Sequence, residues 1–180
     1  MRVDDEDKNS DDIEIVHEGD VDWVDRDNGG RLVHRRKGLG QATDGEKLGC
    51  TLYEVPPGKR PQPYHWHCGN EEAMYVLSGA GALRTPGGER PIEAGMYVSL
   101  PTGEQNARQV INSSTEPLRY LCFSTTITPE IAYLPDSEKY FLNDGADPLA
   151  NPEDVTLLEF LSVDEGRVTG PNEGQWHGEK

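Results

Sequence analysis

Three features of the amino-acid sequence predict an all-β fold. Gly and Pro are frequent, 20 and 13 of 180 residues, as expected where many turns join short strands. The runs between them are rich in Val, Leu, Tyr and Thr and about four to eight residues long, the length of a strand. Hydrophobic residues make up only 34% of the chain, well below the usual globular share of roughly 45–50%. The length suits one domain with a usable core and is thin for two.

Residues 1–12, MRVDDEDKNSDD, are too rich in Asp to offset their ordering entropy by apolar burial and predict a disordered acidic tail. Residues 13–47 form an N-terminal arm of one or two strands. Here DVDWVD alternates, while RLVHRRKGLG gathers Arg31, His34, Arg35, Arg36 and Lys37. That cluster is expected to be a solvated surface patch balancing nearby acids, in preference to an anion contact. Residues 48–126 carry the clearest strand pattern: LGCTLYEV, EAMYVLSG, GALRT, MYVSLP, ARQVIN and LRYLCFSTT. Closing these strands into a small barrel removes edges that would otherwise aggregate. Residues 127–180 are a C-terminal extension packed on or beside the barrel. In NPEDVTLLEFL, Asn151 suits a helix N-cap and Pro152 a first helical position, with Glu153 and Asp154 in the first turn. Thr156, Leu158 and Phe160 fit a strand period equally well, so the type of this segment stays open.

A formal charge of −16, from 33 acidic and 17 basic residues, argues against nucleic acid and anionic membranes as partners. The same balance suits a protein kept soluble in concentrated salt, where self-repulsion is screened. The N-terminus lacks the apolar core of a signal peptide, and no window reaches the roughly 18 apolar residues of a membrane span. A soluble, cytoplasmic protein is therefore expected. Cys50, Cys68 and Cys122 form no CxxC pair and are expected to be buried, reduced thiols.

The stretch PYHWHCGNEEAMYVLSG carries the chemistry. On a strand His65 and His67 project from one face, with Trp66 and Cys68 on the other. After a tight loop, Glu72 opens the next β-rich run and can return its carboxylate to the point the imidazoles share. Two imidazoles and a carboxylate are ligands for iron, manganese, nickel, copper or zinc. Glu71 points the other way, toward the surface. His17, His34 and His177 have no partner pattern and are expected to be exposed.

This stretch resembles the first motif of the cupin superfamily, Gly-x5-His-x-His-x3,4-Glu-x6-Gly, matched by Gly58, His65, His67, Glu72 and Gly79 with one extra residue after Gly58. The second motif is matched by Gly95, Pro101 and Gly103, with Asn112 closing it after a longer loop. Flanking phrases such as KLGCTLYEVPPG and EPLRYLCFST are similar to small single-domain cupins loosely described as mannose-6-phosphate isomerase-like. The resemblance implies a single cupin β-barrel of jelly-roll type holding one divalent transition metal (Fe, Mn, Ni or Zn) on His65, His67 and Glu72.

The departure from the family lies at its third metal-binding histidine. Counting back from Asn112 reaches Arg108, and counting forward from Gly103 reaches Asn106. Both share one strand face and are taken as substrate-binding residues, with Tyr75. The remaining aromatics, Tyr53, Tyr64, Trp66 and Tyr97, are read as core. Gln109, of opposite parity to Arg108, is expected to face away.

Three readings of the site stay open. His65, His67 and Glu72 form a metal triad, with Arg108 clamping a small anionic substrate such as a carboxylate or sugar phosphate, as in a dioxygenase or isomerase. Alternatively, the guanidinium pairs with Glu72 in a metal-free cupin that binds or senses an anion without chemistry. In the third reading the histidines merely line the barrel. The arm, apolar but too short for its own core, is further expected to pair with a second copy and build a homodimer.

Overall fold

The computed structural model describes residues 13–27 and 30–143, and the backbone of two further strands at 158–164 and 167–171. Fourteen strands follow in order: β1 (Val24–Asp27), β2 (Val33–Gly38), β3 (Leu48–Val55), β4 (Trp66–His67), β5 (Glu72–Ser78), β6 (Ala80–Thr85), β7 (Gly88–Glu93), β8 (Tyr97–Leu100), β9 (Gln109–Ile111), β10 (Leu118–Thr125), β11 (Glu130–Leu134), β12 (Lys139–Asn143), β13 (Leu158–Asp164) and β14 (Arg167–Pro171). Only short 3-10 turns interrupt them among the described residues. The fold is all-β, as expected. The acidic tail and His177 lie outside the described residues.

The strands form three antiparallel sheets, ordered β1-β2-β3-β10-β5-β8, β14-β13-β12-β11-β4 and β7-β6-β9. β10 is central to the first, pairing with β3 from Leu118↔Val55 to Thr125↔Leu48 and with β5 on its other side. Its inward residues Leu118 and Tyr120 join Val55, Met74, Val76 and Leu100 from the same sheet. Leu83, Ile92 and Val110 meet them from the three-stranded sheet. Complete burial of Val55, Val76 and Leu118 contributes about 1.5–3 kcal/mol of transfer free energy for each. This core lies at the end of the fold where the six-stranded and three-stranded sheets meet.

Asn112 ties that end together. Its side chain is fully buried and donates to the carbonyls of Val55 and Glu116, both at 2.8 Å, while its oxygen accepts from the Ser114 amide. Its carbonyl accepts from the Gly58 amide at 2.8 Å, so the two resembling motifs meet through backbone bonds.

β7, GERPIE, was not among the expected strands because Pro91 interrupts its pattern. It lies at the edge of its sheet, where a missing N–H costs no ladder bond. Within NPEDVTLLEFL, residues 158–161 belong to β13, whereas the helical cap signals at 151–157 fall outside the described residues. The extension contributes β11 to β14, and β11 pairs with β4 through Ala132↔His67 and Tyr133↔Trp66.

The arm departs from expectation. β2 pairs with β3 of the same chain, through Arg36↔Tyr53 among others, and inward-facing His34 and Arg36 are 2% and 5% exposed. The basic cluster is therefore not a solvated patch. Lys37, also buried, and Arg35 lie 4.8 and 4.5 Å from the Trp23 ring centre. Arg35 also pairs with Glu54 at 2.6 Å. Trp23 and Glu54 thus help to cover these cations. His17 is exposed, as expected.

Candidate metal centre

His65 and His67 emerge on β4 and the residue before it, Glu72 opens β5, and one ligand atom from each lies within 4.8 Å of the others. The imidazoles meet edge to face, with ring centres 4.9 Å apart. Their outer nitrogens are both engaged. His65 Nδ1 is 2.8 Å from the Pro63 carbonyl and His67 Nδ1 is 2.8 Å from Glu130 Oε1. A carbonyl and a carboxylate only accept, so both rings donate from Nδ1, and Nε2 becomes the lone-pair nitrogen.

His67 Nε2 is buried with no hydrogen-bond partner and faces Glu72 Oε1 at 3.6 Å. Both atoms are acceptors, and the separation exceeds hydrogen-bond range. Metal bonds of about 2.1 Å at a tetrahedral angle would place two ligand atoms about 3.4 Å apart. The spacing of His67 and Glu72, and the donor types of all three residues, therefore fit a divalent transition metal held by His65, His67 and Glu72.

Arg108 sits directly opposite His65. The two exchange backbone bonds, His65 N to Arg108 O at 3.1 Å and Arg108 N to His65 O at 2.8 Å. Only 3% exposed, the guanidinium donates from Nη2 to Glu72 Oε2, while Nε and Nη1 have no partner. Burial alone would raise the Glu72 carboxyl, but His67, Arg108 and His65 outweigh it and bring its pKa down to about 2. Burial first, then Arg108 and His67, lowers His65 to about 3. At neutral pH the site therefore holds a carboxylate, a neutral His65 and one fixed cation.

These groups line a cavity of about 340 Å³ between the six-stranded and five-stranded sheets. The other proposed substrate residues do not reach it. Tyr75 faces outward, 40% exposed, because alternation along β5 turns it away from Glu72 and Met74. Asn106 lies in a 3-10 turn, its side chain held by the Thr102 carbonyl at 2.7 Å. Gln109 does line the cavity, against the parity expectation. Arg108 bridges to His65 whereas Gln109 pairs with Arg84 of β6, so the chain changes sheets between them and alternation is lost.

Tyr53 also lines the cavity, stacked on Tyr120 with ring centres 5.2 Å apart, while Tyr97 is 65% exposed. Tyr64 is buried as read. Glu71 is exposed, as expected. Among the cysteines, Cys68 is exposed and Cys122 lines the cavity; burial and then Glu72 push the Cys122 thiol well above its ordinary range. Glu130, in the extension, was not anticipated. Nothing local in the sequence marks it, and only the β4–β11 pairing brings it to His67.

The cupin-domain profile matches residues 51–124. A provisionally named sugar phosphate isomerase from Acidithiobacillus ferrooxidans is 31% identical over 64% of this chain and 74% of its own, with a TM-score of 0.60. A cupin-superfamily sugar phosphate isomerase from Silicibacter pomeroyi is 23% identical, with a TM-score of 0.71 over 87% of this chain and 97% of its own. The polyketide cyclase RemF from Streptomyces resistomycificus is 23% identical, with a TM-score of 0.55 over 66% and 83% of the two chains. The latter two likenesses are of fold. No curated protein matches the sequence. With two histidines and a glutamate gathered at one point of an all-β fold, a matching domain profile and a relative of this identity, the chain belongs to the cupin family.

Proposed function

We propose that this cupin binds one divalent transition metal through His65, His67 and Glu72 and acts on a small anionic metabolite held by Arg108. The observation that carries the reading is the buried, unpartnered His67 Nε2 facing Glu72 Oε1 at 3.6 Å. Two acceptors facing each other with no donor between them are unfavourable, and a cation shared by both removes the conflict. Glu130 supports the arrangement by holding the His67 proton on Nδ1, as outer carboxylates do for metal-bound imidazoles.

When bound, the metal would supply Lewis-acid polarisation of a substrate oxygen, or redox chemistry if it is iron or manganese. The chain's own contribution is orientation and exclusion of water. Nε and Nη1 of Arg108 offer charge-assisted hydrogen bonds to a carboxylate or phosphate. The cavity walls lower the effective dielectric, strengthening that attraction.

The Arg108–Glu72 ion pair favours a second reading, in which the guanidinium is the only cation Glu72 needs and the protein binds anions without metal or chemistry. Elemental analysis of protein purified without added metal separates the two. Near-stoichiometric metal, lost in His65→Ala, is expected; less than about a tenth of an equivalent, with none taken up on dialysis, would leave only the second reading.

The active form is further proposed to be a homodimer joined through the arm. β1 ends the six-stranded sheet, and edge strands are favoured sites of pairing between chains.

A further inference from the structure

We infer that the anion is a carboxylic acid with an apolar body, and not a hydroxyl-rich sugar phosphate. This rests on the placing of an anion on Arg108, and adds what the rest of the cavity selects. Strand register puts apolar side chains beside two of the three proposed ligands, Glu72 and His67. Leu100 stands opposite Glu72, Ala132 opposite His67, and Phe141 opposite Ala132. Met74 follows Glu72 on the same strand face, and Val110 and Leu134 complete this lining.

The polar side chains on the wall are largely occupied within the protein. Asn70 Nδ2 donates to the Ile127 carbonyl at 3.0 Å, and its oxygen accepts from the Ile127 amide and the Thr125 hydroxyl. Ser124 donates to the Thr125 carbonyl and Gln109 to the Gln62 carbonyl. The other arginine of the wall, Arg36, has interactions of its own. A sugar would have to leave many hydroxyls without partners, at a desolvation penalty for each. By contrast, Nε and Nη1 of Arg108, a residue of the cavity wall, are buried without a hydrogen-bond partner among the described residues. One buried cationic clamp amid apolar rows matches one carboxylate on a hydrocarbon body.

The test is calorimetric titration of the purified full-length protein with acetate, butanoate, hexanoate, octanoate, inorganic phosphate and glucose 6-phosphate. Affinity at one-to-one stoichiometry should rise about fourfold per added methylene, and octanoate should bind more tightly than glucose 6-phosphate. A flat series, or tighter binding of the sugar phosphate, overturns the inference. Arg108→Met should weaken every acid by about tenfold to a hundredfold while leaving the slope per methylene intact. Arg108→Lys, which keeps the charge beside Glu72, serves if the Met variant does not fold and should also weaken every acid. Anion binding that depends on Arg108 but not on chain length removes only the apolar body. Binding indifferent to both substitutions removes the clamp itself.

Discussion

Glu130 touches the candidate centre through His67, so its effect should appear in metal affinity before stability. Removing the acceptor at 2.8 Å frees the imidazole to rotate and change tautomer. Glu130→Ala should therefore weaken metal binding by about tenfold to a hundredfold, measured by competition with a chromogenic chelator; unchanged affinity would show that the contact does not orient His67. Arg108→His tests the opposite corner. It replaces a buried cation bonded to Glu72 with a further metal-binding nitrogen, so metal should bind more tightly while small carboxylates bind more weakly. If neither quantity moves, Arg108 has no part in the site. His34 offers a separate test because it lies outside the cavity lining and is 2% exposed, with neither ring nitrogen hydrogen-bonded. Burial, then Arg36 and Arg26, lowers its pKa from 6.5 to about 4. The unfolded chain thus binds this proton first, and stability falls as pH drops below about 6.5, the loss levelling off below about 4 at an order of about 3 kcal/mol. His65 loses stability in the same direction, and the carboxylate of Glu72 adds its own loss only below about 4.5. His34→Phe should consequently gain on the parent protein between pH 7 and 5 in urea midpoints. A constant difference would mean that His34 is not buried neutral.

At the scale of elements, the strand runs of the barrel were legible because Gly and Pro separate them. LGCTLYEV coincides with β3, while EAMYVLSG and LRYLCFSTT each overrun β5 and β10 by one residue. The alternation that placed His65 and His67 together held because His67 lies on a paired strand and His65 on the bridge preceding it. It failed at Gln109, where pairing passes from one sheet to another, and it had no means of showing that β11 would lie beside β4. The buried positions of His34 and Arg36 were hidden for a related reason: a charged strand reads as surface until the neighbouring strand, with Tyr53, covers it. The turn between β5 and β6 provides a direct test of this architecture. Gly79 has φ of 82°, and a Cβ there would lie 2.5 Å from the Pro117 carbonyl oxygen. Backbone cannot yield as a flexible side chain would, so Gly79→Ala should cost about 2 kcal/mol or more in urea unfolding. A loss below about 0.5 kcal/mol would show that β10 shifts freely against this turn.

At the scale of the whole molecule, a charge of −16 acts on folding and association together. Among the described residues no helix is long and apolar enough to cross a membrane, and the acidic excess contributes self-repulsion that salt reduces. The Debye length falls from about 10 Å at 0.1 M to about 3 Å at 1 M. Two copies brought together through the arm would each carry this charge, so the proposed homodimer should be weakest in dilute buffer. Pairing through β1 would set Asp25 and Asp27 near the second copy, placing like charges where screening matters most. Light scattering at micromolar concentration should therefore show a mass that rises toward twice the monomer as KCl increases from about 0.1 to 1 M. Replacing Asp25 and Asp27 with Asn should shift that transition to lower salt. A monomer throughout the titration would remove the dimer, and a dimer indifferent both to salt and to the Asn substitutions would place the contact away from the arm.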